Sequence, residues 1–222
     1  MMSPLQAVPL FHLGPVPITG AVVTTWALMI VLAGSSWAAT RRLSLEPGRV
    51  QAVLELLIEA IQTQIRETMR AEPARFLPLI GTLFIFLVSA NLLSLIPGLE
   101  PPTAKLETDA ALALIVFVAV HWYGIRMQGL AGYLREFARP TWIMLPLNIL
   151  AEFTRTFSMM VRLFGNIMAG VFIVGIVLSL AGLIVPIPLM ALDMLTGVVQ
   201  AYIFTVLAMV FIGAAIGNHD SS

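Results

Sequence analysis

Long apolar runs alternate with short polar interruptions along the chain, and only two stretches alternate apolar and charged positions with a helical period. The runs at 16–40, 76–98, 110–126, 141–184 and 187–217 each read as a membrane-embedded helix. The physical basis is length: about 20 apolar residues, rising 1.5 Å each, cross a hydrocarbon layer about 30 Å thick. Residues 1–15 are Pro-rich and apolar and read as a short leader outside the membrane. Between the first two runs, at 50–72, apolar residues recur at 50, 54, 57, 61, 65 and 69, with Gln51, Glu55, Glu59, Gln62, Arg66 and Arg70 on the other side. That period predicts an amphipathic helix on the membrane surface or against a partner. A shorter one is expected at 128–139, where Leu130, Tyr133, Leu134 and Phe137 oppose Arg135, Glu136 and Arg139.

Two of the runs are too long. No proline interrupts Leu147 to Val185, and a helix of that length extends about 58 Å. The last run extends about 45 Å. Neither stands upright in the bilayer, so each must tilt, break or leave turns outside. Pro186-Ile187-Pro188 turns the chain between them, and the pair predicts a long oblique hairpin. Gly165, Gly170, Gly175 and Gly182 offer bends or close helix approach.

Composition changes the picture only in what it excludes. The chain of 222 residues is 59% hydrophobic and 11% charged, against about 25% charged in soluble domains. An ordinary soluble fold would expose that apolar surface to water. A β-barrel is also disfavoured, because the apolar runs are continuous rather than alternating. No cysteine is present, so no disulfide or thiolate site forms, and three scattered histidines make no metal site. Twelve basic residues balance twelve acidic ones, which leaves no basic face for nucleic acid. No metal or cofactor is expected. The N-terminus lacks a basic region before an apolar run, so no cleavable signal peptide is expected. The fold class is an all-α polytopic membrane protein, one membrane domain over 1–222, with five membrane-embedded helices plus amphipathic surface helices.

Arginines orient it. Arg41, Arg42, Arg49, Arg66, Arg70 and Arg75 follow the first run, and Arg126, Arg135 and Arg139 follow the third, whereas the loop at 97–109 has Lys105 against three acids. The positive-inside rule puts the N-terminus outside and the C-terminus in the cytoplasm.

The candidate chemistry lies in the last two runs. Leu163 to Leu192 holds no charged side chain, and Arg162 stands at its edge. An arginine in the membrane interior costs from about 2.5–3.5 kcal/mol to about 10–17 kcal/mol, and it cannot shed its proton. Arg155, Ser158, Arg162 and Asn166 share one helix face by i+3 and i+4 steps, with Asn148 and Glu152 one or two turns earlier. On the final helix Asp193, Gly197, Gln200 and Phe204 share a face. Glu152 falls on the cytoplasmic side of Arg162, and Asp193 near the outer start of its helix. A carboxylate toward each water phase with a fixed cation between them is the arrangement an ion path needs. Each residue also has a plain structural use. Arg162 can snorkel, Asp193 can serve a helix N-terminus, Gln200 can join helices and Glu152 can pair Arg155.

The stretch Arg162-Leu-Phe-Gly-Asn166-Ile-Met-Ala-Gly170, together with Gln200-Ala-Tyr-Ile-Phe-Thr-Val-Leu, resembles the signature of subunit a of bacterial F-type ATP synthases, and Pro101-Pro-Thr-Ala and Phe11-His-Leu-Gly-Pro agree more weakly. The resemblance covers essentially the whole chain. It implies a non-catalytic membrane stator of the bacterial plasma (inner) membrane. That stator faces a rotating c-ring and is held by the subunit b peripheral stalk and the rest of the complex. Arg162 would be the stator arginine and Gln200 its partner, with Asn166 and Ser158 as polar lining between two aqueous half-channels. Three positions depart from the family pattern. Val171 stands where many relatives have Glu or His, Asn148 where many have Glu, and Lys105 where Asp is frequent. Glu152, one turn after Asn148, would substitute, and the outer half-channel keeps one carboxylate, Asp193, instead of a pair. The departures look like a sodium-associated subset working mainly as an ion pump, which stands as the alternative to proton coupling. A stand-alone transporter is disfavoured by the lack of a repeat. A scaffold would leave Arg162, Gln200 and Asp193 unexplained.

Overall fold

The computed structural model describes residues 9–13, 16–41, 48–94, 101–137, 144–182 and 185–217. Arg42, Arg139 and the loop positions 97–100, used above, lie outside the described residues. Two short strands, β1 (Pro9–Leu13) and β2 (Val16–Thr19), pair antiparallel ahead of six helices. These are α1 (Gly20–Thr40), α2 (Arg49–Met69), α3 (Leu77–Leu93), α4 (Leu106–Phe137), α5 (Met144–Ala181) and α6 (Pro186–Ala215). Among the described residues the elements are helical apart from that hairpin, in keeping with an all-α membrane class.

α1 begins at Gly20, later than the expected start at Val16. Pro17 cannot donate a backbone hydrogen bond, and the β-branched Val16, Ile18 and Thr19 suit a strand. Four helices, α1, α4, α5 and α6, are long and apolar enough to cross a membrane. α3 is apolar but has only 17 residues, about 26 Å. It follows a 3₁₀ turn at Pro73–Arg75.

α2 ends where Arg70 adopts a left-handed conformation (φ 48°) and its N–H closes on the Arg66 carbonyl. Its apolar stripe divides. Ile61, Ile65 and Met69 are buried against the bundle, Leu54 and Leu57 are half-buried, and Val50 is exposed. Tyr202 donates to Gln64 Oε1 at 3.2 Å, and Met69 packs on Gly213, so α2 rests on α6. α4 is kinked at Gly129 (φ 75°, ψ 159°), the boundary at which the sequence separates a span from a second amphipathic helix. Beyond the kink Tyr133 is buried, while Leu130 and Leu134 are exposed.

The core lies between α3, α4, α5 and α6. Ile80, Leu83 and Leu87 meet Val116, Leu163, Phe204 and Ile212 there. Gly197, Ala201 and Ala208 on the buried side of α6 keep the helices close. α5 runs unbroken for 38 residues, about 57 Å. Pro146 falls in its first turn, where no intrahelical N–H bond is lost. Beyond Gly170 its surface is mostly exposed, including Phe172, Ile173, Ile176 and Leu180.

Candidate functional site: an arginine between two polar clusters

On α5, Met159, Leu163 and Ile167 form the buried stripe. Arg155, Ser158 and Arg162 are exposed beside it, and Asn166 is half-buried. The polar face expected from the sequence therefore looks out of the chain. Arg162 makes no hydrogen bond or ion pair among the described residues. A guanidinium has five donors and no neutral form available, and among the described residues nothing satisfies them.

Two contacts fix the antiparallel register of α5 and α6. Gly170 lies against the Asp193 carboxylate. Fifteen residues earlier on α5, the Arg155 guanidinium lies over the Phe211 ring, 5.6 Å from its centroid. Between these points Arg162 comes level with the stretch Ala201–Phe204, and Gln200 with the turn between Arg162 and Asn166. Gln200 is 7% exposed and points into the bundle. Its Nε2 and the Asn166 Nδ2 are buried without a hydrogen-bond partner. Arg162 and Gln200 thus share a level of the hairpin without being hydrogen bonded to each other, one facing outward and the other inward.

The first polar cluster gathers at the end of the bundle where α3 stops and α4 and α6 start. Asp193 sits there beside Gly170. Asn91, from the last turn of α3, donates through Nδ2 to the Gly197 carbonyl at 2.6 Å. Gly197 permits this approach, since a Cβ there would stand 3.1 Å from the Asn91 Cβ. Thr103, in a 3₁₀ turn at Pro102–Ala104, donates to Asn91 Oδ1 at 3.4 Å. Asp109, in the first turns of α4, is wholly buried, and neither of its oxygens has a hydrogen-bond partner.

The second cluster lies at the opposite end, where α5 starts and α6 finishes. Asn148, Glu152, Arg155, Tyr133 and Phe211 line a cleft of about 160 Å³, room for several waters. Arg155 Nη1 and Glu152 Oε2 are 3.6 Å apart, with the arginine side chain 52% exposed and the glutamate 14%. Gln128 donates to the Ala215 carbonyl at 3.0 Å and ties α4 to the end of α6. The absent side chain at Gly124 makes room for the Tyr133 ring. Among the described residues no group of three or more His, Cys, Asp or Glu gathers as a metal site.

Glu152 and Asn148 thus share one cleft, Asp193 lies at the other end, and Arg162, Asn166 and Gln200 fall between. Ser158 is exposed one turn before Arg162. Asn91, Thr103, Asp109, Tyr133 and Gln128 were not among the expected site residues. The inward face of Asp109 was readable from its spacing to Leu112, Ala113 and Val116. Asn91 carried no signal beyond being an amide at the end of an apolar run.

The family model described as ATP synthase A chain matches residues 22–213. The chain belongs to that family. It is 61% identical over 216 residues to ATP synthase subunit a 2 of Bradyrhizobium sp. strain BTAi1, covering 97% of each chain. It is 51% identical over 203 residues to ATP synthase subunit a 1 of Chlorobaculum parvum, covering 90% of each. Against ATP synthase subunit a 2 of Pelobacter propionicus it is 45% identical over 221 residues, covering 100% of this chain and 96% of the relative. The range matched by the family model, residues 22–213, includes both polar clusters and Arg162.

Proposed function

We propose that the chain is the ion-translocating stator subunit of a rotary ATP synthase, working with a c-ring and the subunit b stalk. It takes no part in bond-making at the nucleotide. It provides two aqueous half-channels that end at different heights of the α5–α6 hairpin, with α3 as the fifth membrane-embedded helix. Glu152 and Asn148 serve the cytoplasmic one, and Asp193 serves the outer one. Arg162 divides them, with Asn166, Ser158 and Gln200 as polar lining. The protein lies in the bacterial inner membrane with its N-terminus outside.

The observation that carries this reading is the position of Arg162, an exposed cation with no hydrogen bond or ion pair among the described residues, level with the middle of a hairpin that has polar groups at each end. In hydrocarbon such a group is strongly unfavourable. Opposite a carboxylate on a moving partner it is attracted and displaces that carboxylate's bound cation. Rotation of the partner past Arg162 then exchanges one loaded carboxylate for the next. A fixed positive charge also repels a cation crossing directly from one half-channel to the other.

The test uses the whole complex in sealed vesicles. Arg162→Ala is expected to abolish ATP synthesis driven by an ion gradient. Synthesis at the unaltered rate would overturn the stator reading.

A further inference from the structure

Asp193 is the carboxylate that the reading above assigns to the outer half-channel. A second carboxylate lies at the same end of the bundle, and that reading leaves it without a task. Asp109 is the fourth residue of α4 and is 0% exposed, and its Oδ1 and Oδ2 are both buried without a hydrogen-bond partner. It begins the inward stripe that continues through Leu112, Ala113 and Val116, all buried. A helix start favours acidic groups, but Glu107, two residues earlier and exposed, already provides one from the solvent side. That role gives no reason to bury Asp109. An ionised carboxylate with neither donor nor counter-ion is strongly unfavourable away from water. A protonated one still leaves an unmet donor. A bound cation, a proton included, removes the larger of these costs, that of the buried charge.

What surrounds that end of the bundle is polar in one direction. Thr103, wholly buried in the 3₁₀ turn just before α4, donates to Asn91 on α3. Asn91 in turn donates to the Gly197 carbonyl on α6. Gly197 is one helical turn after Asp193, whose carboxylate lies against Gly170 of α5. These bonds thus run from the 3₁₀ turn that precedes α4, across α3, to the turn of α6 that follows Asp193. The 3₁₀ turn packs against α4, α3 and α5, so this passage runs inside the bundle.

Resting on the proposed function, we propose that Asp109 is a second cation-handling carboxylate of the outer half-channel, holding the translocated cation between outside water and Asp193. A proton would bind one carboxylate oxygen and leave from it, with no change in electrons. A small hard cation would use the same carboxylate oxygens. This supplies from α4 the partner carboxylate that the sequence pattern around Gly170 lacks.

The experiment uses the complete complex in vesicles, with the outside proton and sodium concentrations varied independently. Asp109→Asn is expected to lower gradient-driven ATP synthesis roughly a hundredfold when the coupling cation is scarce outside. The loss should shrink as that cation is raised, and Asp109→Glu should restore most of the rate. The ion whose increase rescues the variant identifies which cation Asp109 holds. An unaltered rate in Asp109→Asn beside a silent Arg162→Ala complex overturns this proposal and leaves the stator reading standing. Unaltered rates in both overturn the two together. A loss in Asp109→Asn that no cation concentration relieves also overturns it, because that marks a structural role. If the asparagine complex does not assemble, Asp109→Cys decides, since the chain has no other cysteine. Labelling by a small cationic methanethiosulfonate added outside supports the proposal, and protection from it overturns it.

Discussion

The Asp193 carboxylate occupies the space that a side chain on Gly170 would need. A Cβ built on Gly170 would lie 2.8 Å from Asp193 Oδ2 and closer still to Oδ1. This contact joins α5 to α6 and holds a polar group in an apolar hairpin. It gives the glycine at the end of the Arg162–Gly170 motif a steric reason.

Gly170→Ala is therefore expected to push α5 from α6, at about 1–3 kcal/mol for overpacking. The measurement is thermal unfolding of the purified complex. Asp193→Ser in the same chain should recover most of the loss, because it removes the atoms that collide. A Gly170→Ala protein as stable as the parent would show that the carboxylate has room to move aside.

The Asn91–Gly197 bond fastens α3 to α6 in the same region. Asn91→Ala should cost about 0.5–2 kcal/mol, within the range of buried hydrogen bonds and of interhelical ones in membranes. Gly197→Ala should cost a similar amount, because the new methyl would crowd Asn91 at 3.1 Å. The two losses should not add, since each breaks the same contact. Stability of the single and double variants checks this, and additive losses would contradict it.

How much of this was legible in the sequence depends on what holds each residue. Ile61, Ile65 and Met69 were readable as one stripe of α2 because a period of 3.6 marks a buried face. The exposure of Val50 on the same stripe was not, because the period does not say how far along α2 the bundle reaches. The late start of α1 was partly readable in Pro17, whose effect is local. The polar face carrying Arg162 was legible from spacing and charge alone. Gln200 was legible as an amide in an apolar helix, but its inward direction was set by α3 packing on the Gly197 side. Asp109 was missed because it was counted as a loop charge. Its spacing to Leu112, Ala113 and Val116 puts it on the buried stripe once the helix is seen to start at Leu106, after the 3₁₀ turn at Pro102–Ala104. Tyr133 enters the cleft because Gly129 bends the chain back, a long-range consequence of one residue.

At the other end, the Glu152–Arg155 pair is a weak stabiliser. Its arginine is half exposed and its geometry is long at 3.6 Å, so pairing contributes about 0–1 kcal/mol. Arg155→Ala should shift stability by no more than that, including the lost contact with Phe211. Glu152→Gln keeps the shape of the cleft and removes its carboxylate. The expected result is slower cation exchange on the cytoplasmic side with unchanged thermal stability. Ion flux in vesicles and thermal unfolding, measured on the same preparation, separate the two effects.

Arg162→Gln addresses whether the charge acts as a barrier or only as an attachment point. The guanidinium stands level with Ala201–Phe204, between the Asp193 cluster and the Glu152 cleft. A fixed positive charge there opposes a cation moving directly between them, and the opposition grows as the local dielectric falls. A neutral amide of similar length keeps polar lining and removes that repulsion. Vesicles bearing Arg162→Gln complexes should therefore pass the coupling ion passively under a membrane potential, without nucleotide, while synthesis is lost. Arg162→Lys keeps the charge but loses the planar fork that binds a carboxylate through two bonds. It should stay tight to passive flux and still synthesise poorly. If the glutamine variant were as tight as the parent, the barrier would lie in packing around Leu163 and Phe204, and the charge would serve the ring alone.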